Sequence, residues 1–196
     1  MQVEIRENSV TIEGYVTAVG RDSRVMASPR GCFVEQVEPR TFDRELSRGR
    51  PVELRFNHER VLGSTADGTL ELREDAIGLR AKAVSSDPEL MERAGNGALS
   101  GWSFGFKCRK DHWEDWKDGV QRRYLEDLEL REVSLLSGKV PAYIGTTVEV
   151  RDDENAIIEE RSVPDEAEIQ DKRPREERPN GLELAKYKAR RTRLGK

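Results

Sequence analysis

Cysteine is scarce in this sequence: Cys32 and Cys108 are the only two among 196 residues. Two thiols are too few for a disulfide framework, and these two lack the spacing of a zinc site. No apolar run approaches the length of about 18 residues that a membrane-spanning helix needs. The first residues, Met1–Gln2–Val3–Glu4–Ile5–Arg6, lack the basic-then-apolar order of a secretory signal, so a cytosolic setting is expected. Positive charge is not in excess: the net charge is −4, and the average field does not favour nucleic acid. Apolar residues reach only 35%, while charged residues reach 37%, well above the roughly 25% of an average globular chain. Either the charge is spread evenly, or part of the chain does not build a core.

It is not spread evenly. Residues 151–196 carry 12 Lys/Arg and 12 Asp/Glu, so 24 of 46 positions are charged. Their few large apolar residues follow no sustained period, and Pro164, Pro174, Pro179 and Gly181 interrupt them. Such a segment buries too little apolar surface to offset its chain entropy, so the sequence predicts a disordered, charged tail over 151–196. The tail is acidic first and basic last: Lys186–Lys196 holds six bases and no acid. An interaction arm and a solubilising tail are both compatible with that pattern.

Residues 1–150 read as one folded domain. Alternating, β-branched runs predict strands at Ser9–Val19, Gly31–Val37, Val52–Phe56, Gly68–Arg73, Gly78–Val84, Trp102–Cys108, Tyr124–Leu130, Glu132–Leu136 and Thr146–Arg151. Thr41 is placed to cap a short helix through Arg48, closed by Gly49. Asp87–Pro88 sets a capping acid before a proline, predicting a second short helix through Ala94. Many short strands, two short helices and no βαβ rhythm indicate an α+β class with a mostly antiparallel or closed sheet.

Three runs carry candidate chemistry. His58 ends an alternating strand in Arg55–Phe56–Asn57–His58–Glu59, and a neutral imidazole is the usual base for activating a hydroxyl. Ser103 sits in Leu99–Ser100–Gly101–Trp102–Ser103–Phe104–Gly105–Phe106, which matches the G-x-S-x-G nucleophile elbow. The elbow needs a strand, a sharp turn and then a helix, whereas the residues after Ser103 continue to alternate as a strand. The elbow reading therefore fails, and the serine remains, with flanking glycines that admit a close backbone approach. Glu132 lies in the mostly apolar stretch Leu128–Leu136, where a carboxylate can hold an imidazole by its second nitrogen. Each residue also has a plainer reading: a structural histidine, a tight strand entry, a strand acid facing water or an arginine.

The order of these segments resembles the caudovirus prohead serine protease family of tailed phages. The resemblance runs over about residues 10–150, through Phe33–Phe42, Phe56–Glu59 with Leu62–Gly63, Gly78–Leu79, Leu99–Phe106, Leu130–Leu136 and Pro141–Ala142–Tyr143. It implies a β-barrel flanked by short helices, like that of the herpesvirus assembly proteases. It also implies that His58 is the catalytic histidine and Ser103 the nucleophile. For the third member Glu132 is favoured, then Asp127, then His112, because Glu132 lies on a later strand that can approach His58 from behind. The sequence departs from the family pattern at Glu59, where Asp is usual, and between Leu136 and Pro141.

The function expected on these grounds is a serine endopeptidase acting inside the immature capsid in the host cytoplasm. It would cleave a scaffolding protein or scaffold segments of the major capsid protein, and itself. No cofactor, metal or membrane is called for, and a homo-oligomer stays open. Two rival readings remain: a non-catalytic capsid-assembly module on the same fold, and a nucleic-acid-binding β-domain using Trp102, Trp113, Trp116 and the basic terminus. The acidic body argues against the second.

Overall fold

The computed structural model describes residues 1–28, 31–138, 148–151, 157–164 and 167–173. Thirteen strands and two short helices are described: β1 Gln2–Ile5, β2 Val10–Ala18, β3 Met26–Ser28, β4 Gly31–Val37, α1 Thr41–Leu46, β5 Glu53–Phe56, β6 Arg60–Ser64, β7 Leu70–Glu74, β8 Gly78–Ser85, α2 Pro88–Gly95, β9 Leu99–Asp115, β10 Gln121–Ser137, β11 Val148–Arg151, β12 Ile157–Pro164 and β13 Glu168–Asp171. The expected strands and helices fall at or near their sequence positions, and the fold is mostly β with few helices.

The pairing forms two open sheets rather than a closed barrel. One runs β13-β1-β2-β8-β7. The other runs β11-β12-β9-β10-β4-β3, with β5 also on β10 and β6 on β5. Closure requires the edge strands to meet with a fixed stagger. Among the described residues no ladder joins β7 to β13, or β3 to β11, so the barrel expectation is corrected to two sheets. Pairing is mixed, not only antiparallel: β10 runs parallel to both β4 and β5, and β1 parallel to β13.

One core is shared by both sheets. Val3, Ile5, Val10, Ile12 and Leu79 come from the first, and Leu54, Trp102, Phe104, Phe106, Leu125 and Val133 from the second. Helix α1 lays Phe42 edge-on against Phe104, with centroids 5.7 Å apart, and Phe104 stacks on Phe106 at 5.3 Å. Each such side chain contributes about 1.5–3 kcal/mol by leaving water. The caps differ between helices. Asp87 accepts from Leu90 N–H at 2.8 Å, as its sequence position predicts. Thr41 does not cap α1; its hydroxyl reaches the carbonyls of Leu125 and Glu126 on β10, and Arg40 takes the cap position at φ 70°.

The short strands β1, β3 and β6 have no counterpart in the sequence expectation, and two longer regions depart from it. The runs Tyr124–Leu130 and Glu132–Leu136 are one 17-residue strand, β10, hairpinned to an equally long β9. The segment read as a tail contributes β12, paired to β9, and β13, paired to β1. A charged strand can join a sheet when its charges are paired, and here Glu159 and Arg161 are buried against Glu35 and Arg123. Pro141–Ala142–Tyr143 and the basic run from Lys186 lie outside the described residues.

Candidate active site

The site grows from a break in the alternation of β10. Leu128 and Leu130 face the core, and so do Val133 and Leu135, so the apolar phase shifts by one residue between them. The structural cause is a register shift between Leu130 and Glu132: Leu130 pairs with Phe106, Glu132 with Gly105, Val133 with Phe104 and Ser134 with Ser103. Directly paired residues project to the same face, and successive residues to opposite faces. The bulge at Arg131 therefore turns Glu132 and Ser134 to the face of Ser103 and Gly105, while Val133 keeps its place in the core.

Glu132 fits only because position 105 is glycine. A Cβ there would lie 2.8 Å from Glu132 Cγ and 3.2 Å from its Oε1. The second glycine of the G-x-S-x-G run thus makes room for the acid, not for a nucleophile elbow.

His58 comes from the β5–β6 turn, where Asn57 and His58 both take left-handed backbone at φ 51° and 63°. Such a pair of non-glycine residues costs energy and persists only where surrounding bonds hold it. The bonds are present. Asn57 N–H donates to the Leu135 carbonyl at 2.9 Å, and Ser137 N–H donates to Asn57 Oδ1 at 2.9 Å. His58 N–H donates to Ser134 Oγ at 2.9 Å, which ties the turn to the cross-strand partner of Ser103. The imidazole meets Glu132: Nδ1 and Oε1 are in close hydrogen-bond contact. Arg55 Nε lies 2.9 Å from the other carboxylate oxygen, as an ion pair without the alignment of a hydrogen bond. An ionised Glu132 here favours the tautomer with its proton on Nδ1 and leaves Nε2 to accept one.

A second carboxylate, unforeseen in the sequence, stands beside the ring. Glu160 of β12 has its Oε1 3.6 Å from His58 Nδ1. Burial pushes its pKa up, and the neighbouring Glu132 charge adds to the rise while His58 opposes it. Ligand atoms of His58, Glu132 and Glu160 all lie within 4.8 Å of one another. Clustered acids about an imidazole do not by themselves make a metal site, and Nδ1 is already engaged by Glu132. Ser103 is fully buried, and its hydroxyl donates to the Arg161 carbonyl at 2.8 Å.

The other candidates sit elsewhere. Asp127 pairs with Arg48 at 2.8 Å, which lowers its pKa. His112 Nδ1 is 2.7 Å from Glu126, and its ring stacks on Tyr124. The tryptophans are packed: Trp102 is fully buried, Trp113 lies against Phe33 with Arg123 over its ring, and Trp116 is covered by Arg122.

Residues 1–160 match the caudovirus prohead serine protease family. The chain belongs to that family. The match includes His58, Ser103, Glu132 and also Glu160, which the sequence expectation had placed in the tail. A prohead protease of Escherichia phage T5 is 27% identical over 138 residues, covering 68% of this chain and 60% of that protein. The chain thus spans less than two thirds of the length of that relative. No solved structure matches, so the herpesvirus-like architecture rests on the family resemblance alone. The family name describes serine proteases of phage proheads, which fits hydrolysis of peptides during capsid maturation. No described helix is long and apolar enough to cross a membrane.

Proposed function

We propose that this chain is the maturation endopeptidase of a tailed-phage prohead, with Ser103 as nucleophile, His58 as general base and Glu132 as the residue that orients the imidazole. The observation that carries this reading is the buried Glu132 on His58 Nδ1, on the sheet face that also bears Ser103. In the proposed reaction the Ser103 hydroxyl attacks a scissile carbonyl and His58 takes its proton. His58 then returns the proton to the leaving amine, and water releases the acyl group. Glu132 stays ionised and stabilises the imidazolium. Its burial beside Arg55 suits that role, because the low-dielectric surroundings strengthen its interaction with a cationic ring.

The substrates proposed are scaffolding protein or scaffold segments of the major capsid protein, and the protease itself, in the host cytoplasm within the immature capsid. The test is intact-mass analysis of the chain co-expressed with its phage's capsid and scaffolding proteins. Wild type is expected to release defined fragments and Ser103→Ala none, with the variant still folded by circular dichroism. Equal processing by both proteins would refute the assignment.

A further inference from the structure

Strand β12 lies where a substrate would lie. It pairs antiparallel with β9, the strand that carries Ser103, in the register Glu159↔Phe106, Glu160↔Gly105, Arg161↔Phe104 and Ser162↔Ser103. An added strand on an exposed sheet edge is a common way to hold an extended peptide: main-chain bonds give affinity and alternate side chains give selectivity. Both parts are present. The Arg161 carbonyl accepts the Ser103 hydroxyl bond at 2.8 Å, which sets the peptide link between Arg161 and Ser162 beside that hydroxyl. Glu160 projects to the imidazole, and its neighbours Glu159 and Arg161 project to the opposite face.

On that opposite face the body of the protein offers a charged socket. Glu35 of β4 takes Arg161 in a two-pronged bond, Nε to Oε1 at 2.7 Å and Nη2 to Oε2 at 2.8 Å. Arg123 of β10 takes Glu159, with Nη2 to Oε1 at 2.9 Å. Without β12 the socket carries one net negative charge, because the single guanidinium of Arg123 bonds both Glu35 at 3.1 Å and Asp111 at 2.6 Å. The guanidinium of Arg161 further lies over the Phe106 ring at 5.2 Å. All four members of the Glu35–Arg123–Glu159–Arg161 group are buried. A planar guanidinium in a two-pronged carboxylate bond is geometrically selective, and a neutral side chain would leave Glu35 buried with less compensation.

We propose that Ile157–Pro164 is an internal substrate held in the enzyme's own peptide channel and cut between Arg161 and Ser162. The same channel selects an extended segment with arginine before the cut and an acid two residues earlier. This rests on the reading of Ser103 as the nucleophile. In the step, Ser103 Oγ bonds to the Arg161 carbonyl carbon and its proton passes to His58. The bond to the Ser162 nitrogen breaks, and that nitrogen takes the proton as a free amine. Water then hydrolyses the Arg161 ester, regenerating Ser103 and leaving a new carboxylate at Arg161. Until release, β12 keeps the channel closed to other peptides.

The experiment follows the purified full-length chain by intact mass, then adds peptides of residues 156–166 to the processed protein. Wild type should accumulate a product ending at Arg161 and its complement beginning at Ser162; Ser103→Ala should accumulate neither. Replacing the arginine of the added peptide by alanine should lower kcat/KM at least about tenfold, as expected for breaking a buried charged pair, and lysine, which keeps the charge but lacks the planar fork, should fall between the two. Because these replacements are in the peptide, they do not depend on a variant chain folding. Glu35→Gln should narrow the preference for arginine over alanine. Cleavage of capsid or scaffolding protein that requires Ser103, with the chain intact or cut elsewhere, would overturn the internal-substrate proposal and leave the protease reading standing. Equal kcat/KM for the arginine and alanine peptides would overturn the socket. Absence of any cleavage requiring Ser103 would overturn both readings.

Discussion

The two histidines of this chain make nearly the same contact in different surroundings. His58 Nδ1 meets Glu132, and His112 Nδ1 meets Glu126. His58 has an 18% exposed side chain on a strained turn, and its acid is buried on the face that carries Ser103. His112 is 42% exposed in the β9–β10 hairpin, its ring lies on Tyr124, and its acid is also held by Lys110. A carboxylate on an imidazole is thus no sign of chemistry by itself. What separates the two is lower exposure, a left-handed turn held by hydrogen bonds to β10, and a hydroxyl-bearing residue on the same face.

The strongest test of this contrast is removal of each ring. His58→Ala should lower peptide cleavage by about 10²–10⁴-fold, the usual contribution of a positioned general base, with His112→Ala within about twofold of wild type. Comparable losses at both positions, measured as kcat/KM on a processed peptide, would break the comparison. Next are the acids. Glu132→Gln keeps the shape but removes the charge that selects the tautomer, so a fall of up to about 10⁴-fold in kcat is expected, and Glu126→Gln should have little effect. Gly105→Ala comes third. Its methyl group meets Glu132, and a shift of the acid of about 1 Å is enough to cost on the order of 100-fold. A normal rate in that variant would show that Glu132 can move without consequence.

The smallest effect expected is on stability, and its sign differs at the two histidines. The Glu160 carboxyl is raised above its ordinary value near 4.5, chiefly by burial. Its proton therefore favours the folded state, and the associated stability is complete below the ordinary value and lost as pH rises through the folded one. Glu160→Gln should gain in Tm relative to wild type as pH rises from about 4 to 7. Glu126 is lowered, first by its bond to Lys110 and then by His112. Its contribution is present above the ordinary value and lost as pH falls through the folded one, so Glu126→Gln should lose its disadvantage in acid. Thermal melts across pH that show the same slope for both variants would remove the distinction.

Much of this was legible along the chain. The β-rich class, the Asp87 cap and the positions of most strands follow from alternation, β-branching and turn residues, which act over a few neighbours. His58, Ser103 and Glu132 were also nameable, because their segments occur in a recognisable order. The bulge at Arg131 had a local signal, the shift of apolar phase between Leu130 and Val133, although the strand was read as two. Glu160 had none. Its segment is charged, short of apolar residues and bounded by proline, and only the ions it meets explain its burial.

The sequence by itself determined where both helices and most of the longer strands form and named three of the residues with usable chemistry, because propensity and periodicity are local properties. Only the tertiary structure decided that Glu132 faces His58, that Gly105 leaves the space for it, and that a charged strand near the C-terminal end lies along Ser103. Those outcomes depend on register, on one residue's bulge and on pairing between charges as far apart in the chain as Glu35 and Arg161. Such pairing is worth little in water and becomes decisive only once the surrounding sheet excludes it.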